Sequence, residues 1–425
     1  MPTRRIHRTA TPVVAPALAA ALALGLIAAA PASSARPAPE KPAASARWTA
    51  AWGASPQSPS TGFTPNWSQE GFSGQTVRQV VRVTAAGERA RIRLSNAYGT
   101  SPLHITGATL ARTDQGAAVE PGSVRRLTFA GKRSAAIPAH GELRSDAAHL
   151  GLKRLESVTV TLYLAGTTGP ATFHSQAWTD SYRADGDRLG ATSAAAFTDT
   201  TQSWYYLSGV EVGGGARPRE DGIVLFGDSI TDGFGSTPNT DRRYSDALAE
   251  RTGRPVVNQG IGGNLVLNDS AWYGERATAR FGRDALDQPG VSTVVLLEGL
   301  NDIGFSEAKG QPTYKPSPVV PAAELIAGYR ELIRAAHARG LRIVGSTLLP
   351  LKGSDHWGEH ARQVSNEVND WIRTSGEFDA VADFDRVLAD PADAERLNPA
   401  YDFKDGLHPN DAGYRLMAKT VADVL

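Results

Sequence analysis

The feature that most restricts how this chain can fold is a change in hydrophobic period near Gly213-Gly214-Gly215. Before it, short β-type runs at about residues 76–83, 90–94, 123–129 and 157–164 are broken by Gly, Pro and Asn/Asp turn signals. Val77, Val81 and Val83 alternate with Arg78 and Arg82, and Ile92 and Leu94 with Arg91 and Arg93, the pattern of strands with one buried face. After it, unbroken apolar runs at 223–226, 255–258, 293–297, 341–347 and 379–383 suit parallel strands buried on both faces. Helical patterns lie between and after them at about 242–251, 274–286, 321–339, 359–374 and 410–425, with Gly253 and Gly340 placed as C-caps. The expectation is an all-β sandwich over residues 47–212 and, beyond a glycine linker, an α/β domain over residues 216–425.

A length of 425 residues agrees with two domains and a processed segment. Arg4, Arg5, His7 and Arg8 precede an Ala/Leu/Val run at about 13–30, and small residues follow at 32–35. Residues 1–35 therefore read as a signal peptide and 36–46 as a Pro/Ala-rich linker, so a secreted, extracellular product without stable membrane insertion is expected. Arg4-Arg5 leaves the twin-arginine and general export routes both open. Lys+Arg and Asp+Glu stand at 44 each, which gives no electrostatic case for a nucleic-acid partner. With no cysteine there is no disulfide, thiol nucleophile or Cys-ligated metal, and stability must come from core burial.

Ligands of open α/β sheets bind beyond the carboxyl ends of the strands. The first apolar run of the second half leads into Gly227-Asp228-Ser229-Ile230-Thr231-Asp232-Gly233, which presents Ser229 in a tight turn. A serine hydroxyl needs an adjacent base that is itself oriented by a third group. Asp405-Gly406-Leu407-His408-Pro409 offers one, with a carboxylate three residues ahead of an imidazole. Glu298-Gly299-Leu300-Asn301-Asp302 adds an amide donor, and Asn258-Gln259-Gly260-Ile261-Gly262-Gly263-Asn264 a glycine loop whose backbone can approach substrate. That loop satisfies neither G-x-G-x-x-G nor a Walker motif, so nucleotide binding is not expected. Taken singly, each segment also reads as an ordinary turn or cap.

Together and in this order, the four segments resemble the SGNH/GDSL hydrolase family over about residues 221–425, with Ile230 where the family name has Leu. The resemblance implies a flavodoxin-like three-layer domain and hydrolysis of carboxylic acyl esters through a covalent acyl-enzyme, with no cofactor and no metal. It makes Ser229 the nucleophile, His408 the general base and later acid, and Asp405 the residue that orients His408. The oxyanion hole would comprise the Ser229 and Gly263 N–H groups and the Asn301 side chain, with Gly262 the competing choice for Gly263. The same stretches look most like secreted bacterial arylesterases and acylhydrolases, which implies a small-molecule or polysaccharide ester as substrate, with short-chain, aryl or acetyl groups. An extracellular lipase or phospholipase and a non-catalytic glycan-binding scaffold are the competing readings.

His356 and His360 have an i, i+4 spacing that a metal could use on a helix, but no third ligand is evident and a hydrated helix face is expected. Trp48, Trp52, Trp67, Trp178 and Trp204 are expected in the sandwich core or a domain interface before any sugar site. His174 and Trp178 fall on a strand or its edge, and nothing in the sequence places them at the second domain's site. Asp228 and Asp302 are expected to hold loops through backbone N–H groups.

Overall fold

Alternation in the first half builds two main antiparallel sheets, with two short two-stranded ladders beside them. The computed structural model describes residues 48–214, 219–308 and 310–425; the expected signal peptide (1–35) and linker (36–46) lie outside the described residues, as does Gly215. One sheet runs in the order β1 (Trp48–Gly53), β7 (Leu207–Gly213), β3 (Gly87–Ser95), with Glu142–Arg144 and Ala148–Leu152 beyond β3. The other runs from Asp199–Thr201 through β6 (Ser181–Asp185), β2 (Gln75–Arg82), β5 (Ser157–Leu164) and β4 (Gly107–Arg112) to Arg125–Arg126. Val77, Val81, Ile92, Leu94, Val158, Val160, Leu162, Val210 and Val212 share one buried apolar cluster, as the period of two requires.

Two features depart from the expected pattern. Only Arg125–Arg126 of the strand expected at 123–129 joins a ladder, because Ser123 closes a turn in which its hydroxyl donates to Glu120 O and accepts from Arg112 N. The arginines that alternate with valine do not all face water. Arg78 is 1% exposed, donating to Ala117 O at 2.5 Å and Ala191 O at 2.6 Å with its guanidinium over the Phe197 ring. Buried Arg93 reaches Ser208 O and Gln288 Oε1. Loops cover one outer face and the α/β half covers part of the other, so charge alternation misstates which faces are wet.

The second half forms a parallel sheet in the order β9 (Val256–Gly260), β8 (Gly222–Gly227), β10 (Val291–Leu297), β11 (Arg342–Ser346), β12 (Ala380–Ala382). This is the 2-1-3-4-5 order of flavodoxin-like sheets. Ile223, Val224, Leu225 and Phe226 have no exposed surface, as strands covered on both faces demand. The helices are α1 (Ser229–Asp232), α2 (Tyr244–Thr252), α3 (Ala277–Phe281), α4 (Leu300–Gly304), α5 (Ala322–Ala338), α6 (Glu359–Thr374), α7 (Phe384–Leu388) and α8 (Asp411–Ala422). Gly253 caps α2 at φ 66°, and Gly340 follows α5 at φ 68°. The helix expected at 274–286 is shorter and continues as a wider π turn over Gly282–Leu286. No helix among the described residues is long and apolar enough to cross a membrane.

The described residues make one compact unit. The sandwich covers the edge strand β9, whose free backbone groups would otherwise lie open. Thr84 Oγ1 accepts from Val256 N and donates to Val256 O, Ser55 Oγ donates to Gln259 Oε1 at 2.7 Å, and Ala50 N donates to Pro289 O. The consequence is that sandwich loops overhang the carboxyl end of the parallel sheet.

Candidate active site

β8 delivers the chain into the turn that carries Ser229. Gly227 has no room for a side chain, since a Cβ there would overlap Thr231 Oγ1 and Leu297 O. Asp228 caps α1 by accepting from Ile230 N at 3.0 Å, and Gly233 closes the turn at φ 114°. Ser229 Oγ lies 2.8 Å from His408 Nε2, and His408 Nδ1 lies 2.7 Å from Asp405 Oδ2. Because a carboxylate can only accept, Nδ1 carries the proton and Nε2 presents its lone pair to the serine hydroxyl.

The Asp405 loop is built for this contact. Asp405 Oδ1 accepts from the N–H groups of Leu407 and His408, and Gly406 turns at φ 73° where a Cβ would press on Gly353 and Ser354. Burial alone would raise the Asp405 pKa; the hydrogen bond and charge of His408, with the two backbone donors, outweigh it and hold the carboxylate below its usual range. Phe234 backs the imidazole with ring centroids 4.3 Å apart.

Ser229, Gly263, Asn301, Asp405 and His408, expected from four separate segments, line one cavity of about 330 Å³. Gly262 N–H is committed to Asp232 Oδ2 at 3.1 Å, whereas Gly263, at φ 75° beneath the Tyr273 ring, faces the cavity. Asn301 Nδ2 donates to Asn264 O at 3.0 Å, and Asn301 Oδ1 lies 3.1 Å from His356 Nε2. The cavity wall also includes Phe63, Phe234, Tyr314, Asp355, His356 and Leu407. Phe63 comes from a sandwich loop with no periodic signal, and its ring stacks on Tyr273 at 5.1 Å.

His174 enters the same architecture from the sandwich. Its buried ring lies 3.0 Å from Ser55 O through Nδ1 and 3.1 Å from Asp232 Oδ1 through Nε2, so the carboxylate that holds Gly262 is braced across the two halves. Of the tryptophans, Trp52 and Trp204 meet edge to face at 4.7 Å, Trp67 stacks on Tyr205, Trp48 lies under Arg91 and Trp178 abuts Phe234. His356 and His360 do not share a helix face: His356 sits in the loop before α6, and His360 contacts Val320 O.

Beneath the site lie Asp228, Glu298, Asp302 and Arg280, all buried. Asp302 accepts from Val266 and Leu267 N–H, which pins the segment after the glycine loop. Burial pushes Asp302 up to about 7 and raises Asp228, with the Asp302 charge adding to the latter. A carboxyl raised in the folded state binds its proton more tightly there than in the unfolded chain. Its stabilisation is complete below about pH 4 and is lost as pH climbs towards 7. Asp228→Asn, which keeps the acceptor for Ile230, is therefore expected to gain on the order of 2 kcal/mol relative to wild type between pH 5 and pH 8. Denaturant melts at both pH values check this; an identical offset at the two would contradict it.

Residues 225–416 match the GDSL-like Lipase/Acylhydrolase family model. No curated protein matches the chain. Among solved structures, a protein described as lipolytic and of the G-D-S-L family from Desulfitobacterium hafniense is 21% identical, with TM-score 0.37, over 48% of this chain and 99% of that one. A GDSL-like lipase from Bacteroides thetaiotaomicron is 18% identical, with TM-score 0.37, over 48% and 87%. An acetylxylan esterase from Geobacillus stearothermophilus, solved as a catalytic mutant, is 23% identical, with TM-score 0.36, over 48% and 94%. The chain thus carries a GDSL-like lipase/acylhydrolase domain over residues 225–416 and is a carboxylic ester hydrolase.

Proposed function

We propose that this chain is an exported serine esterase that removes short acyl groups from aryl or polysaccharide esters. The observation that carries the chemistry is the unbroken chain from Ser229 Oγ through His408 to Asp405, at 2.8 and 2.7 Å. His408 Nε2 takes the serine proton as Oγ bonds to the ester carbonyl carbon. The resulting oxyanion is held by the N–H groups of Ser229 and Gly263 and by Asn301 Nδ2. Collapse breaks the bond to the alcohol, which leaves with the proton from His408. Water then repeats the sequence on the acyl-enzyme, giving the acid and free Ser229. Asp405 holds the imidazole and offsets its transient charge.

The size of the cavity supports small acyl groups. About 330 Å³ lies at the low end of the roughly 300–1,000 Å³ of small-molecule sites. Two exposed rings support an aryl or sugar leaving group: Phe63 on the cavity wall, and Phe403 packed on Phe234. Export rests on the residue pattern of positions 1–35.

A panel from p-nitrophenyl acetate to palmitate, with acetylated xylan, tests the substrate range. The expected result is turnover of acetate and acetylated xylan that falls steeply with chain length. Rates that rise towards palmitate would replace this reading with a lipase, and binding to glycans without turnover on any ester would replace it with a recognition scaffold.

A further inference from the structure

The second histidine in the cavity is not accounted for by the ester chemistry above. His356 is 1% exposed, yet it is no part of the serine–histidine–aspartate chain. Its Nδ1 lies 2.7 Å from Asp355 Oδ1 and its Nε2 lies 3.1 Å from Asn301 Oδ1. The direction of the Asn301 amide is read from its other end, because Nδ2 faces the backbone carbonyl of Asn264, which can only accept. Oδ1 must then face His356. Both imidazole nitrogens therefore meet acceptors, and both contacts are satisfied only when each nitrogen carries a proton.

The backbone makes room for this contact. Gly304 lies one turn after Asn301 on α4, and a Cβ there would overlap Cδ2 of the His356 ring. Glycine inside a helix costs roughly 1 kcal/mol relative to alanine. At position 304 that cost accompanies an approach no other residue permits. Tyr314 and Phe305 meet the ring edge to face at 5.4 and 5.7 Å and fix its plane. Asp355 is held below the usual carboxylate range chiefly by its hydrogen bond to His356, against its own burial.

We propose that His356, braced by Asp355 and admitted by Gly304, is a positioning residue that locks and polarises the Asn301 amide of the oxyanion hole. This inference rests on the role assigned to Asn301 above. An amide free to rotate would spend part of its time presenting Oδ1 to the oxyanion, which repels it. A ring N–H at Nε2 donating to Oδ1 disfavours that orientation and draws electron density from Nδ2, so the remaining N–H is a stronger donor where negative charge develops. The effect is larger in the transition state than in the ground state, so it falls on kcat rather than KM.

A double-mutant cycle on p-nitrophenyl acetate separates this role from general support of the fold. Loss of an oxyanion donor costs about 10²- to 10³-fold in comparable hydrolases. His356→Leu is expected to lower kcat by roughly 10- to 100-fold at unchanged KM, and His356→Gln, which keeps a neutral donor towards Asn301, to recover most of it. In an Asn301→Ala background, His356→Leu should cost less than about twofold. Equal losses in both backgrounds, or an unchanged kcat in the single variant, would overturn the proposal. If His356→Leu does not fold, Gly304→Ala carried through the same cycle decides by the same criteria. Failure here leaves the ester chemistry standing as long as Ser229→Ala is inactive; an active Ser229→Ala protein would remove both.

Discussion

Ser229→Ala is expected to lower kcat on p-nitrophenyl acetate by about 10⁶-fold, the scale seen when the nucleophile of a serine hydrolase is removed, and to leave folding barely changed. The hydroxyl sits 2.8 Å from His408 Nε2 in a turn whose shape is set by Gly227, the Asp228 cap and Gly233, none of which uses the side-chain oxygen. The loss is therefore chemical. His408→Ala should cost about as much, and the double variant little more than either single one, because the two residues act as one unit. Steady-state rates with melting temperatures check all three proteins. A Ser229→Ala rate within tenfold of wild type, or losses that multiply in the double variant, would count against a shared nucleophile and base.

Arg280→Met is expected to destabilise the protein by about 3–5 kcal/mol, the cost of stripping a buried charge of its partner. The guanidinium has no exposed surface. It donates to Gly227 O at the end of β8, Gln259 O on β9, Asn264 Oδ1 in the glycine loop, Glu298 Oε1 after β10 and Ser55 Oγ from the sandwich, and it lies 3.9 Å over the Phe226 ring. Methionine fills much of the same space but leaves those acceptors unanswered and takes from the buried Asp284 carboxylate, at 3.4 Å, one of its two guanidinium partners. Lysine, a point charge with three donors, cannot reproduce the fork. Since these segments carry Ser229, Gly263 and Asn301, kcat is expected to fall along with stability. Urea unfolding gives the energy directly; a change below 1 kcal/mol would show that the hub is dispensable.

The parts legible in the sequence were those governed by local rules. Residues 223–226 read as a two-face-buried strand because nothing polar interrupts them, and Ser229, Asn301 and Asp405/His408 stood out because each follows a strand exit or precedes a helix. Ser229, the glycine loop and Asn301 converge because they leave the carboxyl ends of the parallel strands β8, β9 and β10, while Asp405 and His408 reach the same rim from the loop before α8. What was hidden depends on contacts between distant segments. Arg280 is one of many arginines in a helical pattern, and its burial is decided by five other segments. His174 and Phe63 acquire meaning only when the sandwich docks on β9. His356 was paired by spacing with His360, although the loop that bears it turns to Asn301, fifty-five residues upstream. Arg78 and Arg93 followed the alternation but were covered by loops and by the second half.

The most direct test of the central claim is intact and peptide mass measurement after exposure to a serine-reactive p-nitrophenyl phosphonate. The account predicts one adduct per chain, on the peptide that contains Ser229, with labelling slowed by orders of magnitude in His408→Ala. An adduct on any other residue, or unchanged labelling without His408, would contradict it.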